Sequence, residues 1–382
     1  MKKYKTIIVG AGISGIGCAH NLLNNKYRDF LVISPDIGGR ITESDNGAVE
    51  YGAYYIMDIY HNTKLFVEKG RKIKPSHLIF HNRDKVYTLF NKQIIGNLTE
   101  LIKLTFILFK FKRHYEKFKK CNLTRSQISC LKKDKYLWNL YHQNADDFIR
   151  QHKIKNIVYK YLAELLHGTA FAPIEKLNAF TFLHFSLPLI VATHEFIFDK
   201  EKITKRLKKN YLKDSVVKIT KNTDDSYTVK TKNKKEFVCK NLVIATPPHI
   251  AKKLLNLRQK LRGSINAHMF HVIGELTKKW KGSHVHLFRN NSRMLAIAHQ
   301  DDHSFLVYSV HKDIDFTKYF HTYKILKHRY WKPAFCITGS ELLKFNQGKN
   351  LYLITDNNVV GIEPCYIYGK YCANKILKNT KD

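Results

Sequence analysis

The chain has few acidic residues, no long apolar run and no pattern of paired cysteines. Its 382 residues include 31 Asp and Glu against 66 Lys and Arg. The most apolar segment, LIKLTFILFKF, is too short to span a bilayer and contains Lys103 and Lys110. The seven cysteines include no CxxC pair, and their odd number argues against a disulfide framework. These absences favour a protein of a reducing, intracellular compartment with no metal site.

The formal net charge of +35 has two interpretations. A charge of this size attracts nucleic acid, anionic lipid or an acidic small molecule. The excess is mostly lysine spread along the whole chain, which a genome-wide codon bias also produces. One segment, Leu101 to Lys120, predicts a basic amphipathic helix that either lies on an anionic membrane or forms a solvated lid. Composition alone therefore does not decide whether the protein binds a membrane or nucleic acid.

The first sixty residues carry a nucleotide-binding pattern. An apolar run over residues 6–9 leads into GAGISG, a complete GxGxxG motif, and a second apolar run ends at Ser34. In such a turn Gly10 permits the tight bend, Gly12 lets the backbone approach a pyrophosphate, and Gly15 lets helix and strand pack closely. The order of strand, glycine turn, helix and strand predicts an α/β dinucleotide-binding unit.

The next segment, GGRITESDNGAVEYGAYYI, extends from Gly38 to Ile56. It resembles the GGR segment of the flavin-containing amine oxidase superfamily, which includes amine oxidases, protoporphyrinogen oxidases and carotenoid desaturase-like enzymes. In that family the segment wraps FAD, so the resemblance implies that Gly38, Gly39 and Arg40 line the pyrophosphate and ribityl region. Paired glycines permit backbone contact with a cofactor, and a guanidinium complements phosphate charge.

Ser34 stands where the family usually has a glutamate that binds both ribose hydroxyls. A serine offers one hydroxyl in place of a bidentate acceptor, so either Asp36 reaches back or the ribose is held less tightly. Loss of the carboxylate also removes the repulsion that excludes a 2′-phosphate. This leaves an NADP-linked reductase as an alternative, although the GGR motif argues against it.

The middle of the chain resembles a second cofactor motif of the family. Residues 215–248 read as two alternating strands followed by a wholly apolar strand that ends in ATPP. This pattern predicts two antiparallel strands that lead back into a parallel sheet. The resemblance implies that Val217 pairs its backbone with the adenine and that Ala245 lies where the last strand ends.

The C-terminal region resembles the closing motif of the family. An apolar strand ends at Asp356, which matches the acid that binds the ribityl chain, and Thr355 replaces the usual glycine before it. Gly361 and Glu363 follow, at the start of a final helix. The resemblance implies that this helix points its N-terminus at the flavin.

We therefore predict an α/β fold with a Rossmann-like FAD-binding domain and a discontinuous substrate domain of mixed α+β structure. Residues 76–205 read as mostly helical and residues 265–315 as rich in strands. A hydrophobic content of 44% agrees with a folded core. The predicted FAD-binding segments are 1–75, 206–260 and 336–382, and the predicted substrate-domain segments are 76–205 and 261–335.

The resemblance implies hydride transfer to the flavin N5 from a substrate C–H bond in an amine or in a hydrophobic ring or polyene. Amine oxidases add a lysine on a substrate-domain strand and two aromatic rings around the amine. The matching strand here offers His271 in place of the lysine. Gly361 stands where one aromatic wall is expected, and the segment HRYWKPAF offers Tyr330, Trp331 or Phe335 for the other. Both candidates have structural alternatives, because His271 can bond backbone within a sheet and Trp331 can pack in the core.

Two classes of function remain open. The first is an FAD-dependent oxidoreductase that acts on a small amine or hydrophobic molecule in the cytoplasm. The second is a binding protein on a degenerate flavin fold that uses its charge on nucleic acid or anionic membrane. The intact glycine motifs favour the first. The candidate cofactor-binding residues are Gly10, Gly12, Ser14, Gly15, Ser34, Gly38, Gly39, Arg40, Val217, Ala245, Asp356, Gly361 and Glu363.

Overall fold

A computed structural model describes residues 1–45, 47–82, 85–88, 96–280, 285–289 and 292–379. In these ranges, strands β1 to β18 are, in chain order, Lys2–Gly12, Phe30–Gly38, Ile56–Met57, Val67–Ile73, Leu78–Asn82, Lys85–Thr88, Thr193–Phe198, Tyr211–Lys213, Val216–Lys221, Tyr227–Thr231, Glu236–Ile244, Gly263–Leu276, Val285–Phe288, Met294–His299, Phe305–Ser309, Phe320–Thr338, Asn346–Gly348 and Leu351–Leu353. Helices α1 to α11 are Ile13–Asn24, Leu98–Asn122, Gln127–Lys133, Lys135–His142, Ala145–Gln151, Lys155–Ile157, Ala163–Ala170, Ala179–Ser186, Lys200–Leu207, Pro248–Leu255 and Ile362–Asn379.

The glycine turn belongs to an eight-stranded sheet. Its main strand order is β17-β18-β11-β1-β2-β8, and β10 and β9 extend it as an antiparallel pair beside β11. Strand β1 runs parallel to both neighbours, so that Ile8 lies opposite Val32 on one side and Val243 on the other. All three side chains are buried, as expected of a parallel sheet covered on both faces. The antiparallel strands predicted between residues 215 and 248 are confirmed.

The first and last helices, α1 and α11, pack closely on one face of this sheet. A Cβ atom at Gly369 would lie only 2.0 Å from the carbonyl oxygen of Ser14, so this close approach requires glycine. A hydrogen bond of 2.7 Å between Nδ1 of His20 and the hydroxyl of Tyr366 also joins the two helices. The final helix is thereby held against the turn that follows β1.

A second sheet forms the floor of the other domain. Its strand order is β16-β12-β15-β14-β13-β5-β6, mostly antiparallel, with β13 and β5 running in parallel. Strands β5 and β6 lie within residues 76–205, which the sequence predicted to be mostly helical, and β7 adds a third strand there. The prediction missed these strands because each is short, and because the sheets that they join include β13, β3 and β4, which lie far away in the chain from β5 or β7.

Helices α2 to α8 cover this second sheet and share one core with it. A disulfide joins Cys121, at the end of α2, to Cys130 in α3. The expectation that the cysteines stay reduced is therefore wrong for this pair, although the other five are free and buried. No helix in the described part of the chain is both long and apolar enough to cross a membrane.

Candidate functional site

The GxGxxG motif forms a tight turn between β1 and α1. Gly10 has a φ of +106°, and a Cβ atom there would lie 2.8 Å from the carbonyl oxygen of Ala245. A Cβ atom at Gly15 would lie 2.0 Å from the carbonyl oxygen of Gly10. Gly12 is the N-cap of α1, and no described side chain caps this end of the helix. The first N–H groups of α1 therefore remain available to an anion, as a pyrophosphate requires.

The GGR turn packs directly against the glycine turn. Gly38 and Gly39 have φ angles of +103° and +67°, and a Cβ atom at Gly39 would lie 3.1 Å from the Cα atom of Gly12. Nη1 of Arg40 donates to the carbonyl oxygen of Ala334 at 2.8 Å. Nη2 of Arg40 lies 2.6 Å from Oδ2 of the buried Asp356. Predicted cofactor residues from the two ends of the chain thus meet in one place.

His249 is a neighbour of this ion pair that the sequence analysis did not single out. It lies in the first turn of α10, directly after the ATPP segment. Burial and then the charge of Arg40 lower the pKa of His249, while Asp356 opposes that shift. The imidazole is therefore held in its neutral form beside Arg40. Its position directly after a strand exit was the only signal available in the sequence.

Two buried hydrogen-bonding groups beside the turns have no protein partner. Nε1 of Trp331 and Oγ1 of Thr246 are buried without a hydrogen bond to any described residue. The guanidinium carbon of Arg329 lies 4.8 Å from the centre of the Trp331 ring. Buried donors are normally satisfied, so these two indicate a polar ligand that supplies acceptors. Together with the uncapped α1 and the glycine turns, they fit an extended dinucleotide such as FAD.

Ser34 is buried in the middle of β2, which continues to Gly38 beyond the end that the apolar run predicted. Its hydroxyl donates to the backbone carbonyl of Asp36 at 2.8 Å. The Asp36 carboxylate is exposed, and Oδ1 lies 3.2 Å from Nζ of Lys200. Asp36 is thus oriented toward Lys200 rather than back toward Ser34. The backbone N–H of Asp214 donates to the Ser34 carbonyl at 3.2 Å, which brings the segment leading to Val217 to the same edge.

Val217 lies at an irregularity of the β9–β10 ladder. The register passes from Val216, opposite Thr231, to Lys218, opposite Lys230. Val217 has no register partner, and its side chain is exposed. An extra residue in one strand leaves backbone groups outside the ladder. This arrangement is compatible with the predicted contact between the Val217 backbone and an adenine.

The Glu363 carboxylate is hydrogen-bonded to the loop over residues 61–63. It is fully buried and accepts hydrogen bonds from the backbone N–H groups of His61, Asn62 and Thr63 and from the side chains of Asn62 and Thr63. Its role in the structure is to hold the loop over residues 61–63 against the start of α11. Ser14 and Gly361 lie nearer the turns, since Ser14 is buried in α1 and Gly361 precedes α11 with a φ of +124°.

Both nitrogens of the His271 ring have hydrogen-bond partners within the protein. Its Nδ1 lies 3.1 Å from the hydroxyl of Tyr51, and its Nε2 lies 2.8 Å from the hydroxyl of Ser304. The ring is buried in the second sheet, and burial lowers its pKa. Both ring nitrogens are therefore occupied, which is the structural alternative stated for this residue.

A cavity of about 660 Å³ lies between the helices and the second sheet. Its walls combine the inner face of α2 with strands β13 to β15 and with the segments around Gly52 and Gly361. None of the described residues that line it is acidic. Most are apolar, including Met57, Ile73, Leu78, Leu101, Leu104, Leu108, Ile157, Leu162, Leu165, Phe171, Phe185, Leu189, Ile190, Val191, Val285, Leu287, Ala296, Ala298, Phe335, Val360 and Ile362.

A small polar group lies at the end of the cavity near Gly361. The side chains of Tyr55, Tyr60 and His184 line the cavity there, and burial raises the pKa of both tyrosines. Nε2 of His184 lies 3.1 Å from the hydroxyl of Tyr115. Burial, followed by the charge of Lys119, lowers the pKa of His184 to about 3. All three rings are therefore neutral near pH 7 and offer hydrogen bonds rather than charge.

The GGR segment also contains a buried acid, Glu50. Burial raises its pKa to about 8, although the backbone N–H of Phe198 donates to Oε1 at 3.0 Å. The unfolded chain releases this proton near pH 4 to 5, whereas the folded chain keeps it until about pH 8. The free energy of unfolding should therefore fall as pH rises through this window, by on the order of 3 kcal/mol.

The Glu50→Gln variant is expected to remove this slope, because a glutamine does not titrate. Urea unfolding at several pH values between 5 and 8 measures the effect. Glu68→Gln, on the exposed side of β4, serves as the control and should keep the slope of the unaltered protein. Parallel pH curves for the unaltered protein and Glu50→Gln would contradict the assignment.

Comparisons with known proteins agree with this architecture. Residues 8–69 match the family described as NAD(P)-binding Rossmann-like domain. No curated protein sequence matches the chain. Among solved structures, wild-type putrescine oxidase bound to putrescine is similar with a TM-score of 0.68 and 11% identity, over 98% of this chain and 99% of that chain. A fatty acid isomerase from P. acnes that produces CLA has a TM-score of 0.66 and 11% identity, over 97% and 98%.

These similarities establish the fold. The chain has a nucleotide-binding Rossmann-like domain and the two-domain architecture of the amine oxidase-like proteins, as the GxGxxG and GGR motifs predicted. The two named proteins have different substrates, as their names state, although both share the fold of this chain. The substrate must therefore be inferred from the cavity of this chain rather than from its fold.

Proposed function

We propose that the protein is an FAD-dependent oxidoreductase. The observation that carries the proposal is the meeting of the glycine turn, the GGR turn and Asp356, three segments far apart in sequence, around one uncapped helix end. In this proposal the α1 N–H groups hold the pyrophosphate, and Asp356 holds the ribityl chain. Trp331 donates through Nε1 to the same cofactor.

A bound flavin would supply the acceptor for a hydride from a substrate C–H bond. The protein's own contribution is to orient the substrate and to exclude water from the cavity. The apolar walls between α2 and the second sheet do both, and the neutral Tyr55, Tyr60 and His184 offer hydrogen bonds at the end near Gly361. Their neutrality means that no charged acid or base is supplied there near pH 7.

The lining favours a long hydrophobic substrate over a diamine. A buried cationic amine is expected to pair with a carboxylate, but no acid lines the described part of the cavity. Aromatic rings do line it, although Gly361 stands at one position where the resemblance implies an aromatic wall. The charged residues that line it are Lys72 and Lys74, which are exposed at its edge and would attract an anionic group. We infer an unsaturated lipid, with or without a carboxylate, as the substrate class. The similarity to a fatty acid isomerase supports this choice, and the similarity to putrescine oxidase supports the alternative.

The test starts from the protein as purified. Its visible spectrum should show flavin, and extraction should release FAD. Under anaerobic conditions, an unsaturated fatty acid or a polyene should bleach the flavin absorbance, whereas putrescine should not. A chain that binds no FAD would refute the oxidoreductase, and bleaching by putrescine alone would refute the lipid.

A variant of the cavity wall tests whether the substrate binds in this cavity. Leu104 is buried in α2 and lines the cavity, so Leu104→Trp should fill part of it and slow bleaching by the lipid by at least about 10-fold while flavin stays bound. Leu326→Trp, at an exposed position on β16, is the matched control and should leave the rate unchanged. Equal rates for the two variants would place the substrate elsewhere.

A further inference from the structure

Helix α2 exposes an unusual set of large apolar side chains. Leu98, Ile102, Phe106 and Phe109 follow one another at helical spacing, with exposed fractions of 50%, 48%, 71% and 52%. Phenylalanine is normally buried, and two neighbouring exposed Phe side chains on one helix form an apolar patch that has no cover among the described residues. We call these four residues the apolar patch.

The charges on the same face are mostly positive, and the acid on this face, Glu116, is 27% exposed and lies 2.8 Å from Nζ of Lys119. Besides the apolar patch and Thr99, its exposed residues are Lys103, Lys110, Arg113, Lys117 and Lys120, and none is acidic. The apolar side chains occupy the first half of α2 and most of the cations occupy the second half. A helix with this division presents an apolar end to hydrocarbon and a basic end to lipid headgroups.

The opposite face of the same helix lines the cavity. Leu101, Leu104, Thr105 and Leu108 alternate with the apolar patch along α2 and contribute to the cavity wall. Only the thickness of one helix therefore separates the exposed patch from the interior. The exposed Lys72 and Lys74 also line the cavity, so that it reaches the surface beside a basic rim.

We propose that this face of α2 docks on an anionic lipid bilayer, with the apolar patch inserted and the basic half at the headgroups. A bilayer is favoured over a protein partner because no exposed residue of α2 is acidic, because its exposed cations outnumber the one partly exposed acid among them, Glu116, and because the whole chain carries a net charge of +35. The contact is made from one side, since no described helix could cross the membrane. That the docked face serves as the route of a lipid into the cavity rests on the proposed function, whereas the docking itself does not.

The test is a vesicle sedimentation experiment with the full chain as purified. Vesicles of phosphatidylcholine that contain phosphatidylserine should bind the protein at least about 10-fold more tightly than pure phosphatidylcholine vesicles, and added salt should weaken the binding. The double variant F106S/F109S should bind the anionic vesicles at least about 10-fold more weakly, because each serine removes a phenyl ring from the inserted face. K103E/K110E should also bind them more weakly.

The control variant is L65S/I197S. It removes two apolar side chains of similar exposure, 49% and 52%, outside α2 and outside the cavity lining. It should bind vesicles as the unaltered protein does. Circular dichroism and thermal unfolding of all variants should coincide, because exposed side chains contribute little to stability.

Equal vesicle binding by the unaltered protein and F106S/F109S would overturn the proposal. It would also be overturned by binding to RNA in place of vesicles, or by a dimer in sedimentation velocity that F106S/F109S dissociates when no vesicle binding is observed. The measurement does not depend on turnover or on flavin. A failure here therefore leaves the proposed oxidoreductase untouched, and failure of the flavin experiment leaves the docking untouched.

Discussion

Flavin affinity should fall by about 30-fold in the Asp356→Ala variant, which corresponds to roughly 2 kcal/mol for a lost charge-assisted hydrogen bond. The Asp356 carboxylate is buried and lies 2.6 Å from Nη2 of Arg40. Its removal deletes the acceptor proposed for the ribityl chain and leaves the guanidinium without its anionic partner. Titration of the flavin-free protein with FAD, followed by flavin fluorescence, measures the change.

Asp58→Ala is the matched control for this experiment. Asp58 also forms an ion pair, with Lys69, but both side chains are about half exposed and lie outside the candidate site. This variant should bind FAD as the unaltered protein does. An unchanged FAD affinity in Asp356→Ala, with an unchanged unfolding temperature, would refute the proposed role of the C-terminal acid.

Stability should respond most strongly to Glu363→Ala. The Glu363 carboxylate is the acceptor for five donor groups of the loop over residues 61–63, and none of its surface is exposed. Alanine would leave these buried donors unsatisfied and lower the free energy of unfolding by about 3 to 5 kcal/mol. Urea unfolding, monitored by circular dichroism, measures this decrease in the free energy of unfolding.

A conservative variant and a surface control show whether the lost hydrogen bonds cause the loss of stability in Glu363→Ala. Glu363→Gln keeps one acceptor oxygen and should recover part of the loss. Glu201→Ala removes an exposed helical ion pair with Lys205 and should leave the free energy of unfolding nearly unchanged. A cost below about 1 kcal/mol for Glu363→Ala would mean that water replaces the carboxylate in the loop.

The parts of the site that could be predicted from the sequence are those governed by local backbone geometry. Gly10 and Gly15 form the turn that the GxGxxG spacing predicted, because only glycine fits beside Ala245 and within the first turn of α1. Arg40 and Asp356 were predicted from separate motifs, and the structure brings them into contact. Strand β11 was predicted to join the parallel sheet, which is confirmed.

The features that the sequence could not predict depend on contacts between distant residues. Glu363 binds backbone N–H groups some 300 positions earlier in the chain. Almost every residue has such a donor, so the residue types do not show which ones Glu363 binds. His271 is placed by its partners Tyr51 and Ser304, which belong to other segments. The disulfide between Cys121 and Cys130 depends on how α2 and α3 meet, which cysteine spacing alone does not specify.

The eight-stranded sheet is assembled from three separate stretches of chain, with β1 and β2 near the start, β8 to β11 in the middle, and β17 and β18 near the end. During synthesis the glycine turn leaves the ribosome first, yet Asp356 and α11 arrive more than three hundred residues later. The eight-stranded sheet can therefore be completed only after the segment from β17 to α11 has been synthesised. The nucleotide proposed to lie between the glycine turn and Asp356 would accordingly bind late, after both of these segments have been synthesised.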